Sequence, residues 1–160
     1  MQLPAEIIMK NPKEKKPGKL LLEKFMIQTL PSFVDYLRGG LQLNLIVAID
    51  FTGSNGSPSA PNSLHYMNPT QPNQYQLALK GVWDILSNYD SDHRIPAYGF
   101  GAKPHFNGGL HSNVANHCFP LSGDQGCSEI LGFPNLMETY KRAVMSCEFA
   151  GPTYFAPLVK

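Results

Sequence analysis

An apolar run that ends directly in an acidic residue constrains the fold of this chain more than any other feature. Residues 43–49 are nearly continuous in aliphatic side chains, and Asp50 follows them at once. Such a run is typical of a strand covered on both faces, as in a parallel sheet. Ligands of open parallel sheets bind at the carboxyl ends of the strands, so Asp50 is placed where a binding site would form.

Further helices and strands are predicted after this strand. Residues 50–73 are rich in Gly and Pro and predict a long loop, and residues 95–100 and 118–121 predict two more strands. Apolar residues at three- and four-residue spacing then predict a helix ended by residues 90–92, with a buried face of Tyr75, Ala78, Leu79, Val82, Ile85, Leu86 and Tyr89. A second helix, with Pro134 in its first turn, is predicted to bury Leu136, Met137, Tyr140, Val144 and Cys147.

The order of these elements predicts the fold class. Strand, helix, strand, irregular segment and helix indicate a partial doubly wound, Rossmann-like α/β sheet with flanking helices. Such sheets commonly have about six strands, and fewer are recognisable here. We therefore expect residues 26–160 to be the N-terminal portion of a larger domain.

The first 25 residues differ in character from the rest. Residues 20–22 predict a single strand without a partner, and this segment is interpreted as the remnant of a preceding domain and linker. Residues 32–38 then predict a short helix, which Gly39 and Gly40 would end.

Charge is concentrated near the N-terminus. Residues 1–24 contain six Lys and three Glu, whereas the whole chain has a net charge of only +1. The candidate contacts for an anionic membrane surface are Lys10, Lys13, Lys15 and Lys16. The alternative interpretation is a solvated loop. We expect no nucleic-acid partner.

Cysteine usage indicates a reducing compartment. Three cysteines without paired spacing do not form a disulfide framework, and the sequence has no apolar stretch long enough to cross a bilayer, so a cytoplasmic location is expected. A zinc site is an alternative in one irregular region, from the ligands His105, His111, His117, Cys118 and Cys127. Their spacing matches no common zinc motif.

The loop after the first strand carries the clearest site chemistry. Asp50, Thr52 and Ser54 alternate on a Gly-containing turn, so one carboxylate and two hydroxyls can converge on one point. Hard oxygen ligands of this kind suit Mg²⁺ or Mn²⁺. The other interpretation is an aspartate that caps the loop by accepting backbone N–H bonds.

Several segments of the sequence resemble the copine family. Residues 48–56 look like the copine form of the von Willebrand A metal motif, and residues 63–66, 89–92, 99–102 and 151–157 are copine-like in the expected order. Residues 32–40 resemble the linker before that domain, and residues 11–13 with the strand at Leu20 resemble the end of the second C2 domain. Residues 103–128 depart most from the family.

The resemblance implies a divalent-metal site of the adhesion type. Asp50, Thr52 and Ser54 would supply its first loop, and Thr153 matches the family's second-loop threonine. A third-loop aspartate would lie beyond Lys160. Calcium-dependent phospholipid binding belongs to the family's C2 domains, which we expect to be absent here.

The implied function is that of a non-catalytic adaptor. The A domain would recruit cytoplasmic proteins, through an acidic side chain of the partner at the metal site, with peripheral location at the plasma membrane. A membrane-lipid-binding module acting through the basic N-terminal segment is the alternative. A hydrolase built on Ser54, His65 and Asp90 is disfavoured, because no Gly-x-Ser-x-Gly motif is present.

Overall fold

The computed structural model describes residues 5–9, 18–22 and 26–159. They belong to two compact units, Met1–Gly40 and Leu41–Lys160. The sequence-based boundary at residue 25 stays a prediction.

The first unit contains a strand pair and a short helix. Strand β1 (Ala5–Met9) pairs antiparallel with β2 (Gly18–Leu22). The prediction that the strand at residues 20–22 has no partner is therefore wrong. Helix α1 (Phe33–Arg38) confirms the predicted short helix. It begins at this point because Ser32 and Asp35 form a reciprocal capping box.

The second unit is built on a mixed four-stranded sheet. Strand β3 (Val47–Asp50) is parallel to β4 (Arg94–Phe100), which confirms the predicted parallel pair. Strands β6 (Phe119–Pro120) and β7 (Glu129–Leu131) pair antiparallel with β4. The prediction of a mixed α/β architecture is thus confirmed.

Strand β3 is covered on one face only. Val47 and Ile49 are buried, whereas Ala48 is exposed and Ile46 is 67% exposed. The prediction of a strand covered on both faces is therefore wrong. The run is continuous in sequence, but among the described residues nothing covers the face that carries Ile46 and Ala48.

Helix α2 (Gln74–Leu86) begins at a capping box formed by Asn73 and Gln76. Leu79 is its buried residue, and three partly buried residues extend the same stripe: Tyr75, Trp83 and Leu86. The stripe is narrower than predicted. Ala78, Val82, Ile85 and Tyr89 were predicted to be buried but are exposed. In the described part of the chain, α2 uses only one side for packing.

Helix α3 (Gly132–Ser146) contributes a second set of residues to the core. Its buried residues are Leu136, Tyr140, Ala143 and Val144, and it contacts β4, β7 and α2. Met137 is half-buried. Cys147 lies after the helix, in β8 (Cys147–Phe149), so the prediction that this helix buries it is wrong.

Strand β8 pairs antiparallel with β5 (Ala102–Pro104). This pair gives regular structure to part of a segment that the sequence predicted to be irregular. The pairing also carries the chain after α3 back towards the end of β4. Within the described residues, no helix is both long and apolar enough to cross a membrane.

Candidate metal-binding site

The site begins where β3 ends. The Oδ1 atom of Asp50 accepts a hydrogen bond from the backbone N–H of Thr52 at 2.8 Å, which closes a tight turn. This bond uses one oxygen of the carboxylate. Residues 53–55 continue as a single 3₁₀ turn, on which the Ser54 side chain is exposed.

Thr153 reaches the same turn from a distant part of the chain. Its hydroxyl donates to the hydroxyl of Thr52 at 2.8 Å. Backbone contacts fix this approach, since Gly53 N–H donates to the Ala150 carbonyl at 2.7 Å and Thr52 forms a parallel bridge with Ala150. The structure therefore brings Thr52 and Thr153 together next to Asp50. Ser54 lies on the same turn and makes no hydrogen bond with another described side chain.

One distance between these oxygens matches the spacing of ligands around a small divalent cation. Mg²⁺ is bound octahedrally at about 2.0–2.1 Å, so neighbouring ligand oxygens lie roughly 3 Å apart. The Thr52 and Thr153 hydroxyl oxygens are 2.8 Å apart. Together with the Asp50 carboxylate they form a set of hard oxygen donors, which is the kind of ligand that Mg²⁺ and Mn²⁺ prefer.

Gly101 makes room for the Thr52 hydroxyl. It follows β4 and has a φ of +73°, a conformation that L side chains rarely adopt. A Cβ atom at this position would lie 2.5 Å from the Thr52 Oγ1 atom. A side chain here would therefore occupy the space of a candidate ligand.

Three side chains form hydrogen bonds with the backbone carbonyl of Asp50. It accepts hydrogen bonds from Asn55 Nδ2 at 3.2 Å and from His65 Nε2 at 2.8 Å. The Tyr75 hydroxyl lies 3.2 Å from the same carbonyl and 3.1 Å from Asn55 Oδ1, and it shares its single proton between them. The residue that begins the loop is thus attached to three different parts of the unit.

His65 is fully buried beneath the loop. Its Nδ1 atom lies 2.9 Å from the Tyr140 hydroxyl, and Asn73 Nδ2 donates to that hydroxyl at 3.1 Å. Burial lowers the pKa of His65 below its ordinary value, although the hydrogen bond to Asp50 and the Asp50 carboxylate act in the opposite direction. A neutral imidazole therefore links the loop to the middle of α3 and to the start of α2.

Aromatic rings fix the plane of this imidazole. His65 stacks on Tyr75, with centroids 4.0 Å apart and an interplanar angle of 14°, and on Phe51 at 5.4 Å. Phe149 meets it edge-on at 5.0 Å. Burial, reinforced by the nearby Asp50 carboxylate, raises the pKa of Tyr75 to about 12.

The residues considered for a hydrolase do not form a catalytic triad. Both ring nitrogens of His65 are engaged as described, and neither contacts Ser54. Asp90 is buried, and its Oδ1 accepts hydrogen bonds from the backbone N–H groups of Asp92 and His93, both at 3.3 Å. The carboxylate therefore caps a turn.

Two of the five candidate zinc ligands, His105 and His111, approach each other through their ring nitrogens. The Nδ1 atoms of His105 and His111 are 3.3 Å apart, while His117 packs against Tyr154 with the two rings tilted by 59°. In the part of the chain that the structure describes, no three His, Cys, Asp or Glu side chains form a metal-binding group.

The basic N-terminal candidates lie outside the described residues. They are Lys10, Lys13, Lys15 and Lys16. Their contact with an anionic surface stays a prediction.

The sequence did not predict that the following residues support the loop at the site: Asn55, His65, Tyr75, Gly101 and Tyr140. A signal existed for two of them. His65 lies in a segment noted for its family resemblance, and Gly101 follows a predicted strand, where a glycine often indicates a close approach. The hydrogen bonds from α2 and α3 depend on the packed fold and have no local signal.

An α/β unit with an oxygen-rich turn at the end of β3 describes the class of protein, and comparison with known sequences shows the family. The family model described as Copine matches residues 63–160. Protein BONZAI 2 of Arabidopsis thaliana is 40% identical over 160 residues, which covers 99% of this chain and 26% of that protein. The chain belongs to the copine family.

Two further relatives agree with this assignment. Protein BONZAI 1 of Arabidopsis thaliana is 43% identical over 143 residues, covering 89% of the chain and 24% of that protein. Nicotinic receptor-associated protein 1 of Caenorhabditis elegans is 39% identical over 164 residues, covering 98% of the chain and 25% of that protein. The chain thus spans about a quarter of the length of the curated relatives it matches.

Proposed function

We propose that this chain is a non-catalytic adaptor that recruits protein partners through a divalent-metal site. The site lies at the top of a doubly wound sheet of the von Willebrand A type. Asp50, Thr52, Ser54 and Thr153 hold Mg²⁺ or Mn²⁺. The observation that carries the proposal is the 2.8 Å contact between the Thr52 and Thr153 hydroxyls, made beside the Asp50 carboxylate.

The chemistry of the site suits recognition. A bound Mg²⁺ ion supplies a Lewis-acidic position that accepts an oxygen ligand in exchange for water. Asp50, Thr52, Ser54 and Thr153 would hold the ion, and a partner would supply a further oxygen ligand. An acidic side chain of a cytoplasmic partner matches the hardness and charge of that position.

The relatives support an interaction role. The nematode protein carries the name of a receptor-associated protein, which describes association with another protein and names no reaction. By similarity, we assign a protein-recruiting role to the present chain, in the cytoplasm and at the plasma membrane surface.

A calorimetric titration with MnCl₂ and MgCl₂ tests the metal site. We expect saturable heat in the wild-type chain and its loss in Asp50→Ala. Asp84→Ala is the matched control, because Asp84 pairs with Lys80 on an exposed side of α2. Absence of metal binding at millimolar Mn²⁺ in the wild-type chain, or equal binding in Asp50→Ala, contradicts the proposal.

A peptide selection tests the recruiting role. Peptides selected on the Mn²⁺-loaded chain are expected to depend on one Asp or Glu. Their binding should be lost when that residue becomes Asn or Gln, when EDTA is added, or when Asp50→Ala replaces the wild type. Selected peptides that bind equally well with EDTA argue against a metal-mediated interface.

A further inference from the structure

His65 occupies an unusual place for a polar side chain. It is completely buried, yet it lies one hydrogen bond from the first residue of the candidate metal loop. It contacts the backbone of Asp50 and none of the candidate ligand oxygens. Its role therefore cannot be that of a ligand, and its two nitrogen contacts define what it does.

The hydrogen-bond partners determine the tautomer of the ring. A carbonyl oxygen only accepts, so His65 Nε2 must carry the proton that is donated to Asp50 at 2.8 Å. The neutral ring then has an acceptor at Nδ1, to which the Tyr140 hydroxyl donates a hydrogen bond at 2.9 Å. The more distant Asn73 Oδ1, 3.4 Å from that hydroxyl, is the weaker competitor.

The series of hydrogen bonds continues beyond Tyr140. Its hydroxyl oxygen accepts from Asn73 Nδ2 at 3.1 Å, and Asn73 caps the start of α2. A line of hydrogen bonds therefore runs from the Asp50 carbonyl through His65 to the middle of α3 and on to α2. Both ring nitrogens of His65 are engaged in this line, at 2.8 Å and 2.9 Å, which holds the imidazole in one orientation.

We propose that His65 is a positioning residue that holds the first metal loop in its ligand-bearing conformation before a cation binds. This inference rests on the proposed metal site at Asp50, Thr52 and Thr153. His65 fixes the peptide plane that leads from Asp50 into the loop. The Asp50 carboxylate is held against the same loop, because its Oδ1 atom accepts from the Thr52 N–H at 2.8 Å. A loop held in this way loses less conformational freedom when it binds a cation.

The size of the effect follows from groups that orient metal ligands in other proteins. Removing such an outer hydrogen bond typically costs about 10–100-fold in metal affinity. We expect the same range when the His65 donor is removed. The effect should depend on the donor itself and not on the volume of the ring, because the contact with Asp50 is made by one N–H group.

Two substitutions distinguish the effect of the His65 hydrogen-bond donor from the effect of the ring volume. His65→Gln retains a donor, since the Gln amide nitrogen is as many bonds from Cα as Nε2 is, while His65→Leu removes it. Tyr98→Phe is the control for the loss of a partly buried hydrogen bond elsewhere, because the Tyr98 hydroxyl contacts Ser128 at 3.0 Å. All variants are compared as the full chain at about 15 °C, near the usual temperature of maximum stability.

Mn²⁺ affinity and imidazole ¹⁵N shifts are the two measurements. We expect wild-type affinity in Tyr98→Phe, near wild-type affinity in His65→Gln, and a loss of about 10–100-fold in folded His65→Leu. At neutral pH the His65 ¹⁵N shifts should report the Nε2–H tautomer. A protonated ring or the Nδ1–H tautomer overturns the inference whether or not metal binds.

The outcomes also distinguish this inference from the proposed metal site. If wild-type protein binds no Mn²⁺, both fail together. If wild-type protein binds Mn²⁺ and folded His65→Leu binds it equally well, the positioning role alone is overturned. If His65→Leu does not fold, an affinity of His65→Gln indistinguishable from that of the wild type supports the inference, and a loss comparable to that of Asp50→Ala overturns it.

Discussion

The Thr153 hydroxyl donates to the Thr52 hydroxyl at 2.8 Å, although 101 residues separate the two threonines. Pairing of β5 with β8 and the bridge between Thr52 and Ala150 bring the second threonine back to the first loop. The candidate site is therefore formed by the folded unit and not by one stretch of sequence.

Replacing Thr153 tests the second half of the site. Thr153→Val keeps the shape of the side chain but removes the hydroxyl, so we expect Mn²⁺ affinity to fall by about tenfold or more, roughly 1.4 kcal/mol. Thr153→Ser keeps the oxygen and should bind nearly as well as the wild type. Thr153 is exposed, so both variants should melt close to the wild-type temperature. Equal affinity in the Val variant would show that this hydroxyl is not a ligand.

Gly101→Ala tests the space beside Thr52. The new Cβ would lie 2.5 Å from the Thr52 Oγ1 atom in a backbone with a φ of +73°. We expect the free energy of unfolding to fall by about 1–3 kcal/mol from backbone strain alone. Urea denaturation measures this change.

Gly81→Ala is the matched control for that substitution. Gly81 lies within α2, and a Cβ atom there would meet nothing within 4 Å. Helix propensity predicts a gain of about 0.5–1 kcal/mol. A Gly101→Ala variant as stable as the wild type would contradict the described approach of Gly101 to Thr52.

Stability should depend on pH through His65. Its folded-state pKa is lowered, chiefly by burial, so the unfolded chain binds a proton more readily than the folded chain below the ordinary value of 6.5. The contribution to stability is complete above this pH and is lost progressively as the pH falls below it. Urea midpoints measured between pH 8 and pH 5 should decrease over this interval.

His65→Gln provides the control for the pH dependence. Glutamine does not titrate, so the part of the slope below pH 6.5 that belongs to this site should disappear. A variant with the same pH profile as the wild type would contradict the buried neutral state of His65.

Exposed apolar side chains should make this chain prone to association. Ile46 is 67% exposed beside β3, and Ile85 and Val82 are 63% and 45% exposed on α2. We expect a marginal, concentration-dependent thermal transition, because a domain retains only about 5–15 kcal/mol of net stability. Ile46→Thr with Ile85→Lys should reduce light scattering on heating while leaving the urea midpoint nearly unchanged. A sharp melt at high temperature without scattering would contradict this prediction.

The sequence predicted the elements that have strong local signals. Apolar runs, helical spacing and the position of Pro134 predicted the strand ending at Asp50, the strand that follows α2, and the two long helices. Periodicity did not predict which apolar residues are covered. Val82 and Ile85 satisfy a helical pattern, but in the described unit the core contacts the other side of α2.

The site was predictable to the extent that its residues are close in sequence. Asp50, Thr52 and Ser54 lie in one short segment, and Thr153 could be named only through the family resemblance. Strand β8, which returns the chain to the site, has three residues and no distinctive pattern. The contacts of His65 with Asp50 and Tyr140 join positions far apart in sequence, and only packing brings them together.

Paramagnetic broadening by Mn²⁺ in amide NMR spectra tests the central claim most directly, because it locates the ion on the molecule. At substoichiometric Mn²⁺, we predict that the signals of Thr52, Gly53 and Thr153 broaden first and that Asp50→Ala abolishes the effect. Signals of Lys80 should persist. Broadening centred on His105 and His111, or no selective broadening at all, would contradict a cation site at the end of β3.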